Sequence, residues 1–156
     1  MGKSKEFARI LVASATLFFS CGCIVILELA ASRLVACDLG SSLYTWTSIL
    51  GVVLAGLSLG SYAGGRIADR YHPRRALAVL FGLASAACVG IIVVNNAVGA
   101  WTWLWHLSWP AHVFTHVLLV FLVPSFLLGT TGPVIVKTAL EKGLAPQAAM
   151  EAAGLR

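Results

Sequence analysis

Four apolar runs, each long enough to cross a bilayer, constrain this chain more than any other feature. A helix needs roughly 20 apolar residues to traverse the hydrocarbon. Segments 8–32, 44–65, 76–96 and 112–136 have that length and contain few charges. The 156-residue chain is 59% hydrophobic and only 11% charged. An ordinary soluble domain is about 45–50% apolar and about 25% charged. A water-soluble fold of this size has no interior large enough for so much apolar surface. The expectation is an all-α membrane protein of four transmembrane helices. Residues 1–140 would form the membrane domain and 141–156 a short cytoplasmic tail. The first run follows Lys3, Lys5 and Arg9, and Phe18–Cys21 faintly resembles a lipoprotein cleavage box. It continues about three turns past Cys21, too far for a signal-peptide core, so it reads as an uncleaved span.

The basic residues set the expected topology. Lys3, Lys5 and Arg9 precede the first run, and Arg66, Arg70, Arg74 and Arg75 lie in the second connector. Lys137, Lys142 and Arg156 follow the fourth run. With four spans these groups share one side, and they hold ten of the eleven Lys and Arg residues; Arg33 alone falls opposite. The positive-inside rule then predicts a multi-pass protein of the cell's inner (cytoplasmic) membrane with both termini cytoplasmic. The third connector, 95–110, has no formal charge but holds Trp101, Trp103, Trp105 and Trp109, four of the five tryptophans. Indole rings favour the headgroup layer, so an outer interfacial band is expected.

Two spans carry packing signals. Gly56, Gly60 and Gly64 recur every four residues and predict a groove without side chains, suited to close helix contact in lipid. Its partner is open at this point: span one, span three or another protomer. The fourth span contains Pro124 and Pro133, each of which removes an N–H and crowds a carbonyl four residues back. A kink or break is expected, with Ser125, Thr130 and Thr131 satisfying the freed backbone groups, as in discontinuous transporter helices.

The charges and potential ligands define candidate sites. Glu28 lies roughly 27–30 Å along a helix starting near residues 8–10, which predicts a position near the outer boundary. There it snorkels or pairs with Arg33 if the helix ends near Ser32; the functional alternative is a cation or proton site. His112 and His116, four apart, read as interfacial polar groups and as weak metal candidates lacking a third ligand. Cys21, Cys23 and Cys88 read as small buried hydrophobes. There is no phosphate loop, no nucleophile beside a base and no catalytic constellation, so neither a cofactor nor a nucleic-acid partner is expected. The basic patch at 66–75 reads as a contact for anionic lipid.

Two stretches resemble known families. "GGRIADRYHPRR" at 64–75 resembles the loop after the second helix of major facilitator superfamily transporters. The matching residues are Gly65, Asp69, Arg70, Arg74 and Arg75, beside Arg66, while Pro73 stands where that loop usually has glycine. By this resemblance Asp69 would help lock helices together on the cytoplasmic side, and the four spans would correspond to the first part of a facilitator bundle. "ILELAASRL", "LGSSLYTWTSILGVVLAGLSLGSYAGGRIADR" and "VPSFLLGTTGPVIVK" together resemble the membrane domain of spermidine-synthase-like integral membrane proteins. The likeness covers most of residues 20–140. Cys37-Asp38 stands where those proteins commonly have a proline-aromatic pair. Their Rossmann-like aminopropyltransferase domain has no counterpart after Lys137, so no aminopropyl transfer is expected of this polypeptide.

The leading expectation is a non-enzymatic module resembling a transporter half-bundle, associated with other membrane subunits or with itself, and handling a small cationic solute. Glu28, Arg33, Pro124 and Pro133 would be its binding residues. One alternative is a structural or accessory subunit of a larger, redox-type membrane complex. Another is a membrane anchor for a separately encoded aminopropyltransferase. A fragment of a longer polypeptide is a further reading.

Overall fold

The computed structural model describes residues 2–70 and 73–152, with side chains described for 11–70, 75–102, 104 and 106–139. Four helices account for most of the described chain: α1 (Gly2–Leu39), α2 (Leu43–Arg70), α3 (Pro73–Gly99) and α4 (Trp109–Ala152). A 3-10 turn, Thr102–His106, joins α3 to α4, and there is no strand among the described residues. Within these helices, Leu11–Leu39, Leu43–Arg70, Arg75–Gly99 and Trp109–Ala139 are long and apolar enough to cross a membrane. The chain therefore has the build of a multi-pass membrane protein.

The helices outrun the boundaries expected from sequence. α1 does not stop near Ser32 but continues to Leu39, where Gly40 at φ +82° donates its N–H to Ala36 O at 3.1 Å. Glycine occupies this left-handed position without steric cost, which ends the helix. Ser42 then accepts the Thr45 N–H at 3.2 Å, starting α2 as a side-chain cap. Asn95, expected in a connector, lies inside α3, and the Asp69–Arg70 pair ends α2 rather than sitting in a loop. Pro73 opens α3, where a missing N–H costs nothing. The segment expected as a short tail is helical through Ala152.

α4 is the hub. Of its membrane-length window 56% is buried, against 11% for α1 and for α3. α2 runs parallel to it and supplies the tightest contact, while α1 and α3 flank it antiparallel. The core joins Leu27, Ala31 and Val35 of α1 with Ile49, Val52 and Val53 of α2 and Val113, Val117 and Phe121 of α4. A smaller cluster at the opposite end packs Ala68, Leu80 and Val134.

The partner of the glycine groove is α4, which was not among the partners entertained from sequence. A Cβ added at Gly56 would stand 2.7 Å from Ser125 Cβ, and one at Gly60 would collide with the Phe126 carbonyl oxygen. A Cβ at Gly64 would meet Thr130 Cα at 2.8 Å. From the other side, one at Gly129 would meet Leu57 Cα at the same distance. Two stripes of small residues thus let the backbones touch, the means of helix association when lipid offers no hydrophobic drive. The alternation of prolines and small polar residues hid this role, because a span able to break also looks like a span at the edge.

Neither proline interrupts α4, which is continuous through Pro124 and Pro133. The carbonyl that Pro133 deprives of its N–H belongs to Gly129, and Ser61 of α2 donates its hydroxyl to that oxygen at 3.3 Å. None of the expected local donors serves a carbonyl freed by proline. Thr130 and Thr131 bond the carbonyls of Leu127 and Leu128, and Ser125 Oγ is buried without a hydrogen-bond partner. The close seam makes the remote donor available, since only a backbone-to-backbone contact brings Ser61 within reach.

Candidate functional site

Polar side chains gather at two levels of the bundle. At one end, Asp38 of α1, Asn95 of α3 and His116 of α4 form a chain across three helices. Asn95 Nδ2 donates to Asp38 Oδ2 at 2.8 Å, and Asn95 Oδ1 lies 2.9 Å from His116 Nε2. The carboxylate can only accept, which directs the amide N–H₂ toward it and leaves the amide oxygen for the histidine. His116 Nε2 is therefore the donor, and in the neutral ring Nδ1 keeps a bare lone pair. That nitrogen is buried with no hydrogen-bond partner. Asp38 opens to the surface, Asn95 is 4% exposed and His116 1%.

His112 lies one turn away, its ring centroid 6.4 Å from that of His116. Both histidines are buried, His112 7% and His116 1% exposed, with Asn95 of α3 against His116. No group of three His, Cys, Asp or Glu side chains among the described residues could hold a metal. Near them, Trp101 and Trp109 are about half-exposed, while Trp103 and Trp105 lie outside the described side chains. Trp109 meets Tyr44 edge-on at 6.2 Å.

At the other end, Lys137 of α4 bonds Asp69 of α2 at 2.8 Å, and Arg66 lies over the Tyr62 ring at 4.5 Å. Arg70 and Arg75 are exposed or partly so at the same end, and nothing lies near a Cβ at Gly65. Arg74 lies outside the described side chains. Asp69 thus ties α2 to α4. The pair is exposed enough to be worth under about 1 kcal/mol.

The two levels are separated along α4 by the 21 residues from His116 to Lys137, about 32 Å of helix. Glu28 falls between them, ten residues or about 15 Å from Asp38. With α1 running to Leu39, Glu28 stands eleven residues before the helix end, where an end near Ser32 would have left four. The Glu28–Arg33 pair also fails to form: no ion pair joins them among the described residues. On a continuous helix five residues turn the side chains about 140° apart. Glu28 is half-buried at the flank of the α1 face that carries Leu27 and Ala31.

Ser20 was not singled out in the sequence. Its hydroxyl lies 2.8 Å from Thr131 Oγ1, joining α1 to α4 in a buried position. Thr131 sends its proton to Leu128 O, so Ser20 is the donor. Asn95 and Asp38 were likewise missed as partners. A lone asparagine near the end of an apolar run carries a weak signal, and only helix packing shows what it faces. Cys21 and Cys23 are exposed on α1 and Cys88 half-buried, not core as expected. In lipid an outward thiol behaves as one more apolar group.

An all-α, multi-pass membrane build with a polar chain at one end and an ion pair at the other defines the class. Comparison with protein-family models, curated proteins and solved structures gives no match to this chain.

Proposed function

We propose that this chain is a non-enzymatic, transport-type module of the inner membrane that works within a larger assembly, with Glu28 as the group that receives a small cationic solute. The single observation that carries the reading is the position of Glu28, halfway between two polar levels about 32 Å apart. A hydrocarbon layer of about 30 Å fits that interval and leaves the carboxylate at mid-depth. An ionisable group at such depth is costly, and its usual use is a pathway or a binding site. The gathering of Arg66, Arg70, Arg75 and Lys137 at one end of the bundle supports cytoplasmic termini. The likeness of residues 64–75 to the facilitator loop supports the transporter character. Glu28 is only half-buried, and a second subunit or copy would complete its enclosure.

The test is binding of radiolabelled mono- and polyamine cations to the purified protein in proteoliposomes. Glu28→Gln removes saturable binding of at least one cation, while Glu28→Asp retains part of it. Unchanged binding of every cation by Glu28→Gln removes the carboxylate from the account.

One observation favours a second reading. Phe18, Phe19, Val89, Ile92 and Val93 present broad apolar surfaces on α1 and α3. They would serve equally as contact faces of a purely structural subunit. Stoichiometric co-purification with large cofactor-bearing subunits in mild detergent selects that alternative.

A further inference from the structure

A cavity of about 270 Å³ opens between the end of α1 and the start of α2, lined by Ser32, Arg33, Ser41, Thr45, Trp46 and Ile49 among others. Glu28, Asp38, Asn95 and His116 do not line it. Several of its polar groups are already committed. Ser32 donates to Leu29 O, Thr45 donates to Gly40 O, and Ser42 caps the Thr45 N–H. What remains among the described residues is a set of donors: the Arg33 guanidinium, the Ser41 hydroxyl and the Trp46 indole N–H. No carboxylate lines the space.

The position of Arg33 adds a second argument. It lies five residues, about 7.5 Å, inward of Asp38 on α1. Neither Glu28 nor Asp38 forms an ion pair with it among the described residues. A guanidinium below a polar level and without a counter-charge reaches for the interface and takes an anion there. Guanidinium geometry suits two oxygens of one phosphate, and the hydroxyl and indole N–H supply further donors on the same wall. The volume falls just under the usual range for small-molecule pockets, so it fits a headgroup-sized anion.

We propose that this α1–α2 cavity binds a phosphate monoester or diester, with Arg33 as the principal contact and Ser41 and Trp46 as auxiliary donors. The chemistry is shared by a phospholipid headgroup and a free phosphate ester.

Two measurements on the full chain in a phosphate-free maltoside detergent separate the sources. Native mass spectrometry counts phosphatidylglycerol retained per chain, with diacylglycerol as the control lacking phosphate. Calorimetric titration with glycerol 3-phosphate reads the soluble ester. One site per chain in the first assay assigns a lipid, and one in the second assigns a free ester; either supports the site. In the assay that shows binding, Arg33→Gln weakens affinity about tenfold or more and Arg33→Lys less. Ser41→Ala, on an exposed turn, weakens it about threefold and keeps the test decisive if the arginine variants do not fold. Absence of binding in both assays, or unchanged affinity in the Arg33→Gln and Ser41→Ala variants, overturns the assignment.

Discussion

The α2–α4 seam and the outer faces of α1 and α3 solve opposite problems with opposite residues. Along the seam, Gly56, Gly60, Gly64 and Gly129 remove side chains so that backbones meet. On the outer faces, Phe18, Phe19, Val89 and Val93 keep large side chains pointing away from the protein. In water the second set would be buried and the first would be a weakness in each helix. In lipid the large side chains are already solvated, and association depends on shape and polar contacts. The most buried of the long helices is α4, which carries Pro124, Pro133, Thr130, Thr131 and His116 within the bundle.

Substitutions along the two regions should separate sharply, as measured by reversible unfolding of the reconstituted protein in bicelles through steric trapping. Gly60→Leu gives the largest effect. Its side chain has no space beside the Phe126 carbonyl, and overpacking of this kind costs about 3 kcal/mol. A loss below about 1 kcal/mol would mean that α2 and α4 do not meet at this point. His116→Ala comes next, at about 1–3 kcal/mol, because it strands the Asn95 amide oxygen in a buried position. Ser61→Ala costs about 0.6 kcal/mol, typical of a hydrogen bond between membrane helices, by exposing the Gly129 carbonyl that Pro133 leaves without its N–H. Val93→Ala, on the outer face of α3, stays within about 0.5 kcal/mol. If Val93→Ala proved as damaging as Gly60→Leu, the outer face would be an interface, and the structural-subunit reading would gain.

The sequence made the number and type of helices legible, since apolar runs of that length have few other uses. It also exposed the glycine stripe, because four-residue spacing of small side chains has a direct geometric meaning. It did not show the stripe's partner. Small residues in α4 were masked by Pro124 and Pro133, which read as signs of a break rather than of a central position. The helix ends were displaced by Asp38 and Asn95, polar residues that looked like loop markers until they proved to bond each other across α1 and α3. That displacement puts Glu28 eleven residues inside the end of α1 and leaves Arg33 without its expected partner. Ser20 escaped notice because a single serine in an apolar run gives no periodic signal.

The most direct test of the account is the environment of α1, α2 and α3 measured by nitroxide labels in a cysteine-free reconstituted protein. Labels at Phe18, Leu29 and Val93 should collide often with oxygen and rarely with a water-soluble nickel chelate, with the deepest reading near residue 28. A label at Asp69 should show the reverse. Ready access of the nickel chelate to Phe18, Leu29 and Val93 would contradict the claim that hydrocarbon surrounds these helices, and with it the placing of Glu28.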